Sequence, residues 1–294
     1  MPSTLKEKNM FKKISDFIKW IGDHFKGMLF LLILLLVFMP ESESGLKPAN
    51  LQEIKLSGPI MSADKVLKEI EKAQKDDDIK GVLFDVNSPG GAVPPSIEIS
   101  YAIRELKKHK PVIAYASGVM ASGSYYASIY ANKIIANPGS IVGSIGVIME
   151  SPNLEQLMEK IGIGTQVVKE GTYKEAGTPT RKWTQKEREE LERLTKDTYE
   201  LFVSDVAKAR GLDVKNDKAY ADAHIFSSKR AKEAGLIDEI GTKSSAKKQV
   251  AKLAKVKKPV WKEKDKFESF MESLSTESLL KLQSYFYGLR STLF

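Results

Sequence analysis

Short apolar runs alternate with amphipathic helical patterns through the middle of this chain, and this alternation limits the possible fold more than any other feature. Residues 81–86 form an apolar run typical of a strand buried in a parallel sheet, and the turn at 88–91 ends it. A helical pattern follows over 94–108, and a second strand pattern over 111–116. Repeated strand–helix units with short loops predict an α/β fold, in which a mostly parallel sheet is flanked by helices.

The same patterns continue on both sides of this region. Thr184 begins a long helix with the capping-box sequence Thr184-Gln185-Lys186-Glu187, and Gly211 is its predicted stop. The stretch 226–241 predicts a short helix, a glycine stop and a strand. The other predicted elements are strands at 54–61, 133–136, 141–149 and 165–169, and helices at 64–75, from Ser122, from Asn153 and around 267–274.

Composition narrows the chemistry before any motif is considered. The sequence has no cysteine, which excludes disulfides, thiolate catalysis and cysteine-ligated metals, and its three histidines are scattered. No metal and no organic cofactor is therefore predicted. The net charge is +8, but most of the charges are interspersed on predicted helix faces and no nucleic-acid-binding motif is present. We therefore expect no nucleic-acid partner.

Residues 28–39 are twelve consecutive apolar residues preceded by a lysine-rich segment. As a helix they span about 18 Å, short of the hydrocarbon core of about 30 Å. A signal anchor extending back through the amphipathic residues 17–25 is the favoured interpretation. A cleaved signal peptide ending near 42–44 is an alternative. A buried core helix is a third, which the flanking charges disfavour. The first two place the N-terminus in the cytoplasm and everything after Pro40 outside.

Ser122 lies where a strand pattern gives way to a helix pattern, as a serine nucleophile would. No histidine occurs between His109 and His224, so a different group would have to accept its proton. Lys174 is the candidate, because a desolvated lysine amine acts as a neutral general base. Such a lysine must have a pKa of about 7 or 8 rather than about 10.4, which requires an apolar enclosure. Taken singly, the serine is equally compatible with a helix cap and the lysine with a solvated surface residue.

Two segments near this candidate site contain glycine, namely the turn 88–91 and the position after Ser122. The turn 88–91 offers backbone N–H groups that no side chain obstructs, and Gly123 can present another beside Ser122. These are the donors that an oxyanion hole needs. A tight structural turn explains the same glycines of 88–91.

The four segments taken in order, 88–91, 120–126, 143–147 and 173–174, resemble the S49 family of signal peptide peptidases in its short, unduplicated bacterial form. The resemblance extends over about residues 50–245 and the N-terminal segment. It implies a ClpP/crotonase-like version of the α/β fold, preceded by one membrane segment.

The resemblance also implies a role for each matching residue. Ser122 matches the nucleophile, Lys174 the general base and Ser144 a hydroxyl that orients the lysine amine. Gly91 and Gly123 match the backbone oxyanion donors. Glycine is usual in the family where this chain has Ser124, which makes Ser124 a rival nucleophile, and the rivals for the base are Lys169 and Lys182.

The expected function is that of a membrane-tethered serine endopeptidase, with a Ser/Lys dyad, that degrades hydrophobic peptides such as released signal peptides. The resemblance implies a homo-oligomeric ring in which neighbouring subunits supply serine and lysine, anchored in the bacterial cytoplasmic membrane with its catalytic domain outside. The alternatives are a crotonase-type acyl-CoA enzyme and a catalytically silent peptide-binding membrane scaffold. The predicted regions are a cytoplasmic basic segment (1–27), a hydrophobic anchor core (28–39), a linker (40–50), a catalytic domain (51–255) and a C-terminal strand and amphipathic helical extension (256–294).

Overall fold

A computed structural model of the chain describes residues 16, 19–20, 22–31 and 48–263. The chain divides into two compact units, Met1–Lys47 and Pro48–Phe294. In the first, residues 22–31 are helical. Within the described ranges, every helix is too short or too polar to cross a bilayer. Most of the predicted anchor core, at 32–39, lies outside those ranges, as do most of the linker and the C-terminal extension from 264. The predicted domain boundaries therefore stay predictions.

The second unit is built on a seven-stranded sheet. Its central path has the order β1-β2-β3-β4-β7 and is parallel throughout. The strands are β1 Leu51–Ser57, β2 Gly81–Ser88, β3 Val112–Ala121, β4 Lys133–Ala136, β5 Ile141–Gly143, β6 Ile225–Ser227 and β7 Glu239–Ile240. The predicted α/β class with a mostly parallel sheet is confirmed. The ClpP/crotonase-like assignment within that class stays a prediction.

Strand β3 divides the sheet because its two halves have different neighbours. Its first half pairs with β4, from Ile113 opposite Lys133 onward, and its last three residues pair with β5. On its other side, the register with β2 shifts between Val86 and Ser88. The side chain of Asn87 fills the break, since its Oδ1 accepts the Val119 N–H at 3.0 Å. The C-terminal end of β3 thus leaves the central path and continues towards β5.

Helices cover the sheet on both faces. The larger core lies on one face and includes the fully buried side chains of Phe84 and Ile99, while the smaller core on the other face contains Leu83 and Val250. The two adjacent positions 83 and 84 point to opposite faces, as the pleat requires. The helices are α1 Asp64–Lys75, α2 Val93–His109, α3 Gly123–Ser128, α4 Glu155–Lys160, α5 Gln185–Arg210, α6 Ser228–Glu233 and α7 Lys243–Leu253, together with a 3-10 helix at Val214–Ala219.

The ends of α5 confirm the predicted start and stop. The Thr184 side chain accepts the Glu187 N–H, and the Glu187 side chain accepts the Thr184 N–H, which completes the capping box. Gly211 follows the helix in the left-handed conformation with φ 67°. The predicted short helix and strand of 226–241 are present as α6 and β7.

Three predicted elements differ from the structure. The predicted strand at 141–149 pairs only over Ile141–Gly143, because Gly143 and Ser144 both adopt positive φ and turn the chain out of the sheet. Residues 165–169 form no strand. The first strand runs over Leu51–Ser57 instead of 54–61, in register with β2 from Gly81 onward, and Gly58 with φ 72° follows it.

Candidate active site

Ser122 connects the end of β3 to the start of α3 in a strained conformation, with φ 52° and ψ −125°. A positive φ is uncommon for a residue with a side chain and persists only where the surroundings enforce it. Here the Ser122 N–H donates to the Gly143 carbonyl at 2.8 Å, and its own carbonyl accepts the Tyr126 N–H at 3.0 Å. Such a sharp strand-to-helix turn is how some hydrolases present a nucleophilic serine.

The Ser122 hydroxyl makes no hydrogen bond that stabilises the described part of the structure. The residue occupies the N-cap position of α3, yet its side chain makes no capping hydrogen bond. It is half-buried, whereas the residues immediately before and after it are buried. The helix-cap interpretation of this serine is therefore wrong, and its Oγ remains available for chemistry.

Ser124 differs from Ser122 in each of these respects. Its side chain is fully buried. Its Oγ accepts the Ala121 N–H at 2.8 Å and lies within donating distance of two carbonyls, that of Ser88 at 2.7 Å and that of Ala121 at 2.9 Å. The hydroxyl of Ser124 thus joins the end of β2 to the end of β3, which is a structural role. Between the two serines, the geometry favours Ser122 as the nucleophile.

Gly90, Gly91 and Gly123 allow the turn after β2 to approach the start of α3 closely, beside Ser122. Gly90 has φ 95°, and a β-carbon there would lie 2.6 Å from the Gly123 nitrogen and 2.9 Å from the Ser122 Cβ. A β-carbon at Gly123 would overlap the Ser96 hydroxyl and lie 3.3 Å from the Gly91 nitrogen. The turn after β2 and the start of α3 are therefore in direct contact, and side chains at these positions would separate them.

The amide N–H groups of Gly91 and Gly123 are both free within the described part of the chain. The parallel bridge beside Gly91 uses the N–H groups of Ile60 and Ala92, which donate to Gly90 and Ile60 respectively, at 2.8 Å each. Gly123 is the first residue of α3, so its N–H has no acceptor within the helix. Two unused donors therefore lie next to the Ser122 side chain, as an oxyanion hole requires.

Ser144 is also brought to this site. Its predecessor Gly143 accepts the Ser122 N–H, and its own N–H donates to the His224 carbonyl at 2.8 Å. Ser144 has φ 50°. Ser144 therefore directly follows the residue that binds the Ser122 N–H, and its predicted role towards the lysine stays a prediction.

Backbone strain is concentrated around Ser122. Of the five non-glycine residues with positive φ in the described part of the chain, four belong to this region, namely Ser122, Ser144, Asp222 and Ala223. The 222–223 turn is held from α5, because the Tyr199 hydroxyl accepts the Asp222 N–H at 3.1 Å. Clustered strain of this kind is characteristic of functional sites. The sequence gives no signal for the contribution of 222–223.

Beyond Ser144 the chain is extended but unpaired. The Ile145 carbonyl accepts the Ala223 N–H at 2.9 Å, and among the described residues no further backbone hydrogen bond holds residues 146–150. Gly146 and Val147 border the pocket beside Ser122, and Ile148 is 83% exposed. This segment therefore presents free backbone donors and acceptors next to the candidate nucleophile.

An apolar pocket of about 330 Å³ opens beside Ser122. Helix α5 supplies one wall, including Phe202, whose ring lies 4.7 Å from that of Tyr126. The Tyr126 hydroxyl donates to the Asp205 carboxylate, and burial together with this hydrogen bond raises the pKa of Tyr126. The lining residues are Gly91, Val93, Ser96, Ile97, Ser122, Gly123, Tyr126, Gly146, Val147, Thr198, Leu201 and Phe202. Sequence periodicity predicts Phe202 as a buried helix residue but gives no sign that it lies beside Ser122.

Lys174 is not among the residues that line this pocket. It lies in an exposed turn, where its N–H donates to the Gly171 carbonyl at 3.3 Å. Within the described residues its amine has no ion pair or hydrogen bond. Of the rival lysines, Lys169 is paired with Glu175, and Lys182 borders a separate pocket at the start of α5. A single chain therefore assembles the serine half of the predicted dyad but does not bring the lysine to it.

In the described ranges, no group of three or more histidine, aspartate or glutamate side chains is arranged to bind a metal ion.

Several known proteins similar to this chain are named as proteases or peptidases. It is 43% identical over 190 residues to a putative protease of Methanocaldococcus jannaschii, a match covering 65% of this chain and 61% of the relative. It is 37% identical over 207 residues to a putative protease of Synechocystis, covering 70% and 74% of the two chains. A putative signal peptide peptidase of Enterococcus faecium is 36% identical over 181 residues, covering 61% of this chain and 53% of the relative.

The matched stretch thus spans from about half to three quarters of the length of these relatives. The sequence profile of peptidase family S49 matches residues 104–257. That range begins in α2 and contains Ser122, Ser144 and Lys174. With more than half of its length matched, this chain belongs to peptidase family S49.

Proposed function

We propose that this protein is a serine endopeptidase in which Ser122 is the nucleophile and Lys174 the general base. The observation that carries the proposal is the state of Ser122, which is held at positive φ with an uncommitted hydroxyl beside two uncommitted N–H groups. Membership of family S49 supports peptide hydrolysis over the crotonase-type and scaffold alternatives.

The proposed reaction follows from this geometry. The Ser122 Oγ attacks the carbonyl carbon of the scissile bond while the neutral Lys174 amine accepts the hydroxyl proton. The N–H groups of Gly91 and Gly123 donate to the oxyanion that forms. Collapse of the intermediate breaks the C–N bond, and the lysine returns the proton to the leaving amine. A water molecule then attacks the acyl-enzyme, again giving its proton to Lys174, and releases the carboxylic acid and Ser122.

We propose that Lys174 serves the Ser122 of a neighbouring subunit. Two observations support this: Lys174 is absent from the pocket of its own chain, and the region that leads to it is unusually apolar for a free surface. Helix α4 has no buried residue, and large side chains are exposed on and around it at Leu157, Ile161, Ile163 and Val168. An exposed apolar patch of this kind favours contact with a second copy of the chain. In a ring, that contact would complete each site.

The proposed substrates are extended peptides with apolar side chains. The free backbone groups of 146–150 can pair with a peptide strand. The adjacent pocket can accept an apolar side chain, because Val93, Ile97 and Phe202 are among the residues that line it. Signal peptides released from secreted proteins have this character. The name of the Enterococcus relative is consistent with the same class of substrate.

The proposed location is the bacterial cytoplasmic membrane, with the N-terminus in the cytoplasm and the catalytic unit outside. Six lysines and three acidic residues within 1–27, followed by the apolar run 28–39, support this orientation. A membrane tether would keep the peptidase near peptides that remain in the bilayer.

Active-site labelling tests the proposal. The full chain, solubilised in detergent, is treated with a fluorophosphonate probe and assayed in parallel with an apolar fluorogenic peptide. We expect labelling and cleavage in the natural protein and the loss of both in Ser122→Ala and in Lys174→Ala. Labelling that survives in either variant, with the protein folded, would overturn the dyad.

A further inference from the structure

The residue that follows Lys174 is a carboxylate, and two cations hold it. Glu175 is paired with Lys169. It also accepts a hydrogen bond from Arg181 at 3.1 Å. Both cations lower the pKa of Glu175, Lys169 more than Arg181. Both cations thus bind the same oxygen, Oε2, of the carboxylate nearest in sequence to the proposed base.

Arg181 is itself fixed by the start of α5. Its guanidinium donates two parallel hydrogen bonds to the Glu187 carboxylate, at 2.8 and 2.9 Å, and a third to the Lys182 carbonyl at 3.0 Å. Glu187 is only 2% exposed, and it simultaneously accepts the Thr184 N–H at 2.8 Å in the capping box. A bidentate pair with a buried carboxylate fixes the guanidinium plane, so Arg181 presents the second N–H of its Nη2 to Glu175 from a fixed position.

Two other charged side chains near the loop, Arg193 and Glu155, have partners of their own. On α5, Arg193 is paired with Glu190 and lies beside Tyr173. On α4, the Glu155 carboxylate accepts the Lys182 N–H at 3.2 Å. Within the loop, Glu170 is exposed. Glu175 is thus the carboxylate next to Lys174 that Arg181 holds, together with Lys169.

A lysine base must lose its proton to function, and a free carboxylate beside it would oppose that loss by stabilising the ammonium form. We propose that Arg181 is a positioning residue for catalysis: by holding Glu175 against α5, it keeps the Lys174 amine free of an anionic partner. This inference rests on the proposed role of Lys174. It assigns to the α5 cap a function beyond helix stability, namely setting the pH range in which the base is neutral.

The pH dependence of kcat/KM tests the proposal, measured on the full chain in detergent with the fluorogenic peptide. Activity should rise with pH to a plateau, and the midpoint of this rise is the quantity compared. In Arg181→Gln we expect the midpoint to move up by about one pH unit, the size of shift that a newly available opposite charge produces. In the double variant Arg181→Gln/Glu175→Gln the midpoint should return to that of the natural protein.

Two control variants separate this local effect from a general change in charge. Lys196→Gln removes one positive charge from α5 at an exposed position whose ion-pair partner, Glu200, lies 3.8 Å away. The variant Arg181→Gln/Glu192→Gln removes an acid of the same helix that does not contact the loop pairs. We expect the midpoint of Lys196→Gln to equal that of the natural protein, and the midpoint of Arg181→Gln/Glu192→Gln to equal that of Arg181→Gln. A shift in the first variant, or a return to the natural value in the second, would overturn the proposal.

The remaining outcomes are equally decisive. An unshifted midpoint in Arg181→Gln, or no return in the double variant with Glu175→Gln, overturns the positioning role. If Arg181→Gln cleaves too slowly for a profile, the rate of fluorophosphonate labelling against pH replaces it. Loss of labelling at every pH in Arg181→Gln and also in Arg181→Gln/Glu175→Gln would show that Arg181 has only a structural role. Activity retained in Lys174→Ala would instead refute the dyad itself, which distinguishes that failure from this one.

Discussion

Ser122 and Ser124 are two positions apart, and their surroundings differ as those of a nucleophile and a structural hydroxyl should. Ser122 is half-buried, strained and without a hydrogen-bond partner for its hydroxyl among the described residues. Ser124 is fully buried and joins Ser88 to Ala121 through its hydroxyl. A reactive hydroxyl must be free to approach a substrate, whereas a buried hydroxyl must be satisfied by the protein. The two serines therefore have separable roles that substitution can reveal.

Replacing Ser124 by alanine is expected to lower stability without removing the nucleophile. The Ala121 N–H and the Ser88 carbonyl would each lose a buried partner, at a cost of about 1–3 kcal/mol. Fluorophosphonate labelling of Ser122 should persist in Ser124→Ala, while the midpoint of thermal unfolding falls. Ser122→Ala is the matched control, with the opposite pattern of no labelling and nearly unchanged stability. Loss of labelling in a well-folded Ser124→Ala would contradict this assignment.

Which site residues could be predicted from the sequence depends on the range of the interactions that place them. Ser122, Gly91 and Gly123 lie at strand ends, where a local pattern of apolar run and turn reveals them. The part of Ala223 and His224 in holding Ile145 and Ser144 could not be predicted, because only the fold brings their turn against the end of β5. The ordered motifs single out Lys174, yet neither they nor one chain of the structure fixes its distance from Ser122.

At the scale of elements, α5 organises the site along its whole length. Its cap holds the Lys174 loop through Glu187, and Tyr199 holds the turn beside Ser144. Phe202 forms a wall of the pocket, and Asp205 accepts the hydroxyl of Tyr126 on the nucleophile helix. Tyr199, Phe202 and Asp205 follow one another at intervals of three residues, whereas Glu187 lies about five helical turns before Asp205. A rigid helix thus connects the loop of the proposed base to the pocket of the nucleophile.

The pairing of Glu187 predicts a specific pH dependence of stability. Hydrogen bonds from Arg181, and secondly from the Thr184 N–H, lower the pKa of Glu187 from its usual 4.5 to about 2. Because the folded-state pKa is lowered, the stabilisation is fully present above about pH 4.5 and is lost as pH falls through about 2. Glu187→Gln should therefore unfold at a lower temperature than the natural protein at pH 7, with the gap narrowing between pH 4.5 and pH 2.5.

Glu192→Gln is the control for this measurement, since Glu192 is exposed on the same helix and its nearest cation, Arg188, lies 3.9 Å away. Its unfolding temperature should follow that of the natural protein at each pH. A gap for Glu187→Gln that stays constant across the same pH range would mean that the ionised carboxylate is not what stabilises the cap.

Elements were predictable where one short segment determines its own structure. The capping box and Gly211 define α5, and the buried run of β2 is apolar throughout. The apolar residues near 145–149 and 165–169 predict strands for the same reason, but these segments find no partner strand in the described structure. The side chains of Ile148, Val167 and Val168 remain exposed. An apolar pattern indicates that these side chains are to be buried. It does not indicate whether the same chain or another one covers them.

At the scale of the whole molecule, the proposed mechanism needs a site built from two separate parts of the chain. The strained serine and its N–H donors are fixed by the sheet, while Lys174 lies on an exposed turn after α4, a helix with no buried residue. A lysine base needs an apolar enclosure, and Lys174 is exposed on the single chain. Contact between copies would bury the apolar side chains around α4 and enclose the lysine at once.

Mixing two inactive variants tests this arrangement. Ser122→Ala keeps the lysine and Lys174→Ala keeps the serine. A site shared between subunits is therefore complete at an interface where a Lys174→Ala subunit supplies Ser122 and a neighbouring Ser122→Ala subunit supplies Lys174. With equal amounts assembled at random in a head-to-tail ring, about one interface in four is complete, and we expect about a quarter of the natural activity. Cells co-expressing the two variants with different affinity tags provide mixed oligomers, which are purified through both tags and assayed for peptide cleavage. Ser122→Ala co-expressed with Ser122→Ala/Lys174→Ala is the control and should stay inactive, because no subunit then supplies a serine. Mixed oligomers without activity would place Lys174 and Ser122 of the same chain together instead, and would require the exposed turn to move towards its own pocket.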